Sequence, residues 1–139
     1  FIYQLPVAAL FYEEYLKKKP DDQLSWFYLG SVYKLLSNYK KSKECLSKAL
    51  GGKGFSDQAL LVLGDIYYLE KNYEAAEDTL SQAIENEEFV KGFALIHLGY
   101  CREAMGDFRA ALQYYEGVSV PLLSDLKKTM VLLLETRLA

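Results

Sequence analysis

The sequence predicts an all-α fold in which three antiparallel helix pairs stack side by side, and three observations carry that prediction. A Leu-Gly pair recurs as Leu29-Gly30, Leu63-Gly64 and Leu98-Gly99, with the glycines 34 and then 35 residues apart. Around each pair the apolar residues recur at three and four positions, which is the helical period. Each unit is then interrupted at the same place by a short turn-forming pair: Ser37-Asn38, Lys71-Asn72 and Gly106-Asp107.

Aligned on the glycines, the first unit reads Trp26, Leu29, Gly30, Tyr33, Tyr39, Ser42, Leu46, Ala49, Leu50. The second reads Leu60, Leu63, Gly64, Tyr67, Tyr73, Ala76, Leu80, Ala83, Ile84, and the third Leu95, Leu98, Gly99, Arg102, Phe108, Ala111, Tyr115, Val118. A glycine inside a helix costs about 1 kcal/mol relative to alanine, so its place in all three units predicts a close backbone approach. The expected residue opposite is the small one, Ala76 or Ala111. One pair cannot bury its apolar face alone, and neighbouring pairs stack to do so.

The first pair runs over residues 23–56, the second over 57–90 and the third over 92–120. Ahead of them, Pro6 to Lys19 reads as the second helix of an earlier unit (residues 1–20), with Ala8, Tyr12, Tyr15 and Leu16 as core positions and Pro20 closing it. After them, Pro121 opens a helix to Leu138, within residues 121–139, that either caps the stack or starts a fourth unit. Its apolar set (Leu122, Leu126, Met130, Leu133, Leu134) is expected on one side, widened by Leu123, Val131 and Leu132. A terminal cap should be polar outside, so this helix is expected to cover a neighbour or to self-associate. The chain also opens on Phe1, which suggests an excised or processed piece, and the broad apolar face of the last helix suggests a fragment of a longer array.

Composition narrows the function. Half of the 139 residues are hydrophobic (51%) and a quarter charged (25%), with a net charge of -3, which speaks against nucleic acid as the main partner. The lysines at 17–19 and at Lys40, Lys41 and Lys43 read as solvated helix ends. One histidine, His97, and two cysteines, Cys45 and Cys101, supply neither a metal set, a disulfide framework nor a nucleophile–base pair, and the cysteines read as buried small apolar residues. No uncharged run approaches the roughly 20 residues of a membrane span, and no signal peptide is legible. The run Gly51-Gly52-Lys53-Gly54 follows helical Ala49-Leu50 and lacks a Gly-Lys-Ser/Thr ending, so it is a linker and no phosphate loop. The acidic stretch Glu85 to Glu88 reads as a solvated helix end. No enzyme and no cofactor is expected.

Trp26-Phe27-Tyr28-Leu29-Gly30-Ser31-Val32-Tyr33 and its two counterparts resemble the tetratricopeptide repeat family, whose pattern is W-x2-L-G-x2-Y…A-x3-F…P over 34 residues. Arg102 stands in place of the tyrosine, Ser42 in place of the alanine, and the closing proline is missing after units one and two. The resemblance implies a helical solenoid with a right-handed superhelix, whose first helices line a concave face where partner peptides dock. The rows implied for that face are Leu24, Phe27, Ser31, Lys34 and Leu35; Gln58, Leu61, Asp65, Tyr68 and Leu69; and Phe93, Ile96, Tyr100 and Glu103. Leu35 and Leu69 read as core rather than contact. Some relatives clamp the carboxylate tail of heat-shock chaperones, but Phe27, Ser31, Asp65, Phe93 and His97 do not match that clamp, and Asp65 would repel a carboxylate. The face implied is apolar and aromatic, with acidic spots at Asp65 and Glu103, suited to a protein segment with Leu, Ile, Phe or Pro anchors and a basic residue between them. Three readings compete: an adaptor or scaffold; an architectural segment covered by neighbouring repeats or a second copy, with a small three-repeat secretion-type chaperone as a further alternative; and an enzyme or its regulatory arm, for which these residues supply no nucleophile–base pair, metal set or cofactor loop.

Overall fold

A helix can turn back on itself within two residues only if its last carbonyls and the next helix's first amides find partners locally. In the computed structural model, which describes residues 4–51, 56–84 and 87–139, three turns meet that demand in the same way. Ser37, Lys71 and Gly106 adopt left-handed backbone conformations, with φ of 58°, 62° and 80°. The next amides along the chain, of Asn38, Asn72 and Asp107, reach back to the carbonyls of Tyr33, Tyr67 and Arg102. The side chains of those same three residues then accept from the amides of Lys41, Ala75 and Ala110 at 3.1–3.3 Å and cap the next helix. One residue thus ends one helix and starts its partner.

The helices are α1 (Gln4–Lys18), α2 (Gln23–Leu35), α3 (Tyr39–Ala49), α4 (Ser56–Leu69), α5 (Tyr73–Ala83), α6 (Glu88–Ala104), α7 (Phe108–Glu116) and α8 (Ser124–Leu138), with a 3-10 turn at Pro121–Leu123 ahead of α8. No strand occurs among the described residues. The fold is an all-α helical repeat. The linker reading of Gly52, Lys53 and Gly54 and the reading of Glu85 and Asn86 lie outside the described residues. Contacts divide the chain into two units, Phe1–Ile66 and Tyr67–Ala139.

In the first unit α2 and α3 pair most extensively, and α1 packs on α2. Leu46 lies against Gly30 so closely that a Cβ there would sit 2.7 Å from Leu46 Cγ. Ser42, fully buried, donates its hydroxyl to the Gly30 carbonyl at 2.6 Å. Leu46, Ala49, Ala59, Leu63 and Ile66 form one buried cluster, while Ala9, Leu16, Leu29, Tyr33 and Cys45 form another. Asp22 caps α2 by accepting from the Ser25 amide at 3.3 Å, and the Trp26 indole donates to the Pro20 carbonyl at 2.8 Å.

The second unit repeats the glycine contact with a larger partner. A Cβ on Gly99 would lie 2.1 Å from the Tyr115 ring, itself fully buried. Tyr115 shares its cluster with Leu95, Ile96, Ala111, Val118, Val120, Leu123 and Leu134. In both described contacts the residue over the glycine is large. The expectation of a small residue opposite is therefore corrected: the absent Cβ makes room for a bulky side chain, and Ser42 and Ala111 are the buried small residues one helical turn before it.

The two end helices also correct the expected phases. In α1, Ala9 and Leu16 are buried and Tyr12 half-buried, whereas Ala8 is only half-buried and Tyr15 is exposed. At the other end the helical period is kept, but the side of α8 that is buried is the one packed on α7. Leu123 and Leu134 point inward with Met130 and Val131 beside them, and Leu122, Leu126 and Leu133 point out.

Gly99→Ala should destabilise the fold by about 1–3 kcal/mol through overpacking against the immobile Tyr115 ring, despite the helix-propensity gain of about 1 kcal/mol. Thermal melts of this variant and Gly30→Ala check it, and a stabilised Gly99→Ala chain would reject the contact as the reason for the glycine. Replacing Lys71 with glycine should stabilise by about 0.5–1 kcal/mol by removing left-handed strain, and Gly106→Ala should cost about as much. Denaturant midpoints of the two variants should move in opposite directions.

Candidate protein-interaction surface

In the first unit, the first helices α2 and α4 hold Leu24, Phe27, Ser31, Lys34, Gln58, Leu61 and Asp65, all half-buried. Several of the polar members are engaged internally. The Ser31 hydroxyl donates to its own helix at the Phe27 carbonyl, 2.9 Å away. The Lys34 ammonium donates to the Asp65 carboxylate as a partly exposed ion pair. Asp65 therefore carries its own countercharge, which corrects the expectation of an acidic spot there. Leu35, expected in the core, is 61% exposed. It sits in the last turn of α2, just before the helix reverses at Ser37.

In the second unit, Tyr68 and Tyr100 stand with ring centroids 6.4 Å apart, and Tyr100 meets the Tyr115 ring edge-on at 6.2 Å. Tyr73 lies 5.7 Å from Tyr68, and His97 lies 5.7 Å from Tyr100. Burial raises the hydroxyl pKa of both Tyr68 and Tyr100 above the ordinary tyrosine value. Phe93 is half-buried and packs edge-on against Phe89 at 5.0 Å, and Phe89 is exposed. Ile96, at 2% exposure, belongs to the core and offers no surface. Leu69, expected in the core, is exposed. Glu103 accepts a hydrogen bond from the Tyr115 hydroxyl at 2.5 Å and also lines a groove of about 370 Å³ with Leu133, Leu134, Thr136 and Arg137.

Sequence reasoning misses Phe89 and Arg137 and gives Leu133 the wrong side. For Phe89 a signal exists, since it lies one turn before Phe93 on the same helix. The two α8 residues depend on which side of that helix packs on α7, a contact between helices that the local pattern does not announce. Cys45 and Cys101 are buried and form no disulfide, and burial pushes the Cys45 thiol up to about 11, so it is a poor nucleophile. Among the described residues no helix is long and apolar enough to cross a membrane, and no group of three metal-ligating side chains converges.

Two family models, each of the tetratricopeptide repeat, match residues 36–89 and 93–118. The chain belongs to the tetratricopeptide repeat family. A crystal structure of MamA superposes with a TM-score of 0.75 at 25% identity, covering 88% of this chain and 72% of that one. A second MamA crystal structure gives a TM-score of 0.71 at 26% identity, covering 81% of this chain and 61% of that one. No curated protein matches the sequence. Membership makes the chain a protein–protein interaction repeat module, and the tetratricopeptide fold is in general non-catalytic.

Two departures from the tetratricopeptide pattern have local reasons. Ser42, in the alanine position, satisfies its buried hydroxyl on the Gly30 carbonyl. Arg102, in the tyrosine position, pairs with Glu77 of α5 through Nε at 2.5 Å and Nη2 at 3.0 Å.

The Tyr115–Glu103 bond predicts an alkaline limit to stability. Burial first, and the Glu103 carboxylate second, raise the Tyr115 hydroxyl far above its ordinary pKa. Tyrosine ionises near pH 10 when unfolded, so this stabilisation is full below about pH 10 and is lost progressively above it. Tyr115→Phe should lose about 1 kcal/mol at pH 7 yet show a shallower decline between about pH 9 and 11. Equal slopes in urea titrations of the two chains would contradict this.

Proposed function

We propose that the chain is an adaptor that binds a partner protein through aromatic side chains on its first helices, taking a segment anchored by Leu, Ile, Phe or Pro. The observation that carries this reading is the second-unit cluster in which Tyr68, Tyr100 and Phe93 remain partly exposed while packed ring to ring with Tyr73, Tyr115 and Phe89. Rings already held by neighbours lose little conformational freedom on binding, which suits them to act as anchors. Glu103 would add a polar contact there, and on the first unit Phe27, Leu24 and Leu61 offer apolar contacts of the same kind. Ser31, bonded to its own helix, and Asp65, paired with Lys34, offer no clamp for a terminal carboxylate.

A second reading, self-association through the 3-10 turn and α8, is favoured by the exposure of Leu122, Leu126, Leu132 and Leu133. It expects a mass that rises with concentration and falls when Leu132 and Leu133 become serine.

The adaptor reading is tested by selecting a displayed peptide library against the chain. Selected peptides should carry two or more apolar anchors. Changing Tyr68 and Tyr100 together to alanine, with helicity verified by circular dichroism, should weaken binding about tenfold or more. Unchanged affinity in the folded double variant would remove these aromatics from the site.

A further inference from the structure

A pocket of about 300 Å³ opens where α1 and α3 flank α2, at the lower end of the range of small-molecule sites, about 300–1,000 Å³. Its floor is a stripe of α2 at helical spacing, Trp26, Leu29 and Tyr33, and its walls include Leu16 of α1 and Cys45 of α3. Trp26 is half-buried and the other four are buried. The Trp26 indole is held by its bond to the Pro20 carbonyl and by the Lys48 ammonium, 4.0 Å from its ring centre. The hairpin of α6 and α7 shows why the space is open. Cys45 stands fifteen residues after Gly30, and the residue fifteen after Gly99 is Tyr114. Tyr114 lies partly buried on the cluster that holds Leu95, the counterpart of Trp26. Where α7 supplies a phenol ring, α3 supplies only a thiol.

The charges at the mouth decide what else a ligand must carry. Glu13 accepts from the Tyr33 hydroxyl, Lys17 pairs with Glu14 at 2.5 Å, and the Lys41 ammonium lies 5.1 Å from the centre of the Tyr33 ring. Among the described residues Glu44, exposed on α3 next to Cys45, has neither a hydrogen bond nor an ion pair. The charge left to attract a ligand is therefore negative. We propose that the pocket binds a small arylalkylamine, with its aromatic ring against Trp26, Leu29 and Cys45 in place of the missing phenol and its ammonium group directed to Glu44. Burial of the ring supplies the affinity, and the carboxylate supplies the choice of charge. The site lies wholly within α1, α2 and α3 and does not depend on the adaptor reading.

Trp26 is the single tryptophan of the chain, so its fluorescence reports occupancy of the pocket directly. Titration with phenethylamine is expected to shift that emission saturably, in the millimolar range or below. Hydrocinnamate, similar in shape and opposite in charge, should give no saturable shift. Both probes are transparent at the red edge of indole absorption. Cys45→Tyr, which rebuilds the α7 arrangement, should abolish the response without lowering the melting temperature. Glu44→Lys, at an exposed position, should reverse the preference so that the acid binds and the amine does not. The proposal is overturned by the absence of a saturable shift with the amine, by an equal response to the acid, or by amine binding unchanged in Glu44→Lys. A folded Cys45→Tyr chain that still binds the amine would overturn it too, and if that variant fails to fold the Glu44→Lys titration decides alone.

Discussion

The contact between a bare stretch of helix backbone and a bulky side chain sixteen residues later fixes the geometry on which the rest of the chain depends. A hairpin of two helices could slide or rotate along its apolar seam. A tyrosine ring lying where the Gly99 Cβ would be, or a leucine over Gly30, permits one register. That register has consequences at the surface. The ring that fills the Gly99 gap sends its hydroxyl to Glu103 and its edge to Tyr100, and Tyr100 in turn meets Tyr68. The glycine thus orients the half-buried Tyr100 and Tyr68 from below, through one buried tyrosine.

The turns supply the second constraint, and they work on the backbone rather than on side-chain volume. Each reversal uses a left-handed residue followed by Asn or Asp, so the amide and the side chain of the same residue close two helix ends together. Only one of the three left-handed positions is glycine. The strain at Ser37 and Lys71 is of the order of 1–2 kcal/mol each and is offset by the helix pairing that the turn permits. Along the second helix of a hairpin, Asn38 stands eight residues before Leu46 and Asp107 eight before Tyr115. Turn and glycine contact between them therefore fix both where a hairpin begins and how deeply it packs.

These local features are legible in the sequence because each is a short-range chemical requirement. The Leu-Gly pairs, the Ser-Asn, Lys-Asn and Gly-Asp turns and the helical period need no knowledge of the remainder of the chain. Information that resides in contacts between helices is not legible in the same way. A glycine in phase with alanines suggests small against small, whereas the gap accommodates Leu46 or Tyr115. The phase of α8 escapes the pattern because its apolar residues run nearly all round it, and the packing on α7 decides which of them are buried. Ile96 shares the spacing of the surface row, yet the nearby Phe93 is the one left partly exposed. Hydrophobicity alone assigns Leu35 and Leu69 to the core, but both fall in a last turn, where the chain is already leaving the packed face.

The electrostatics of the first-helix rows differ from their formal charge in a way that bears on recognition. By sequence, Asp65 and Glu103 are two acids in an aromatic setting. In the fold Asp65 carries Lys34 against it, and Glu103 accepts from a buried tyrosine while sharing a groove with Arg137. Ion pairs at such partly exposed sites contribute little to stability, about 0–1 kcal/mol, but they remove a net attraction for basic partners. Long-range steering by these rows is therefore weak, and salt would screen what remains. On the proposed adaptor reading, discrimination among partners falls to shape and to apolar burial at Tyr68, Phe93 and Tyr100, which are held by ring-to-ring packing rather than by charge.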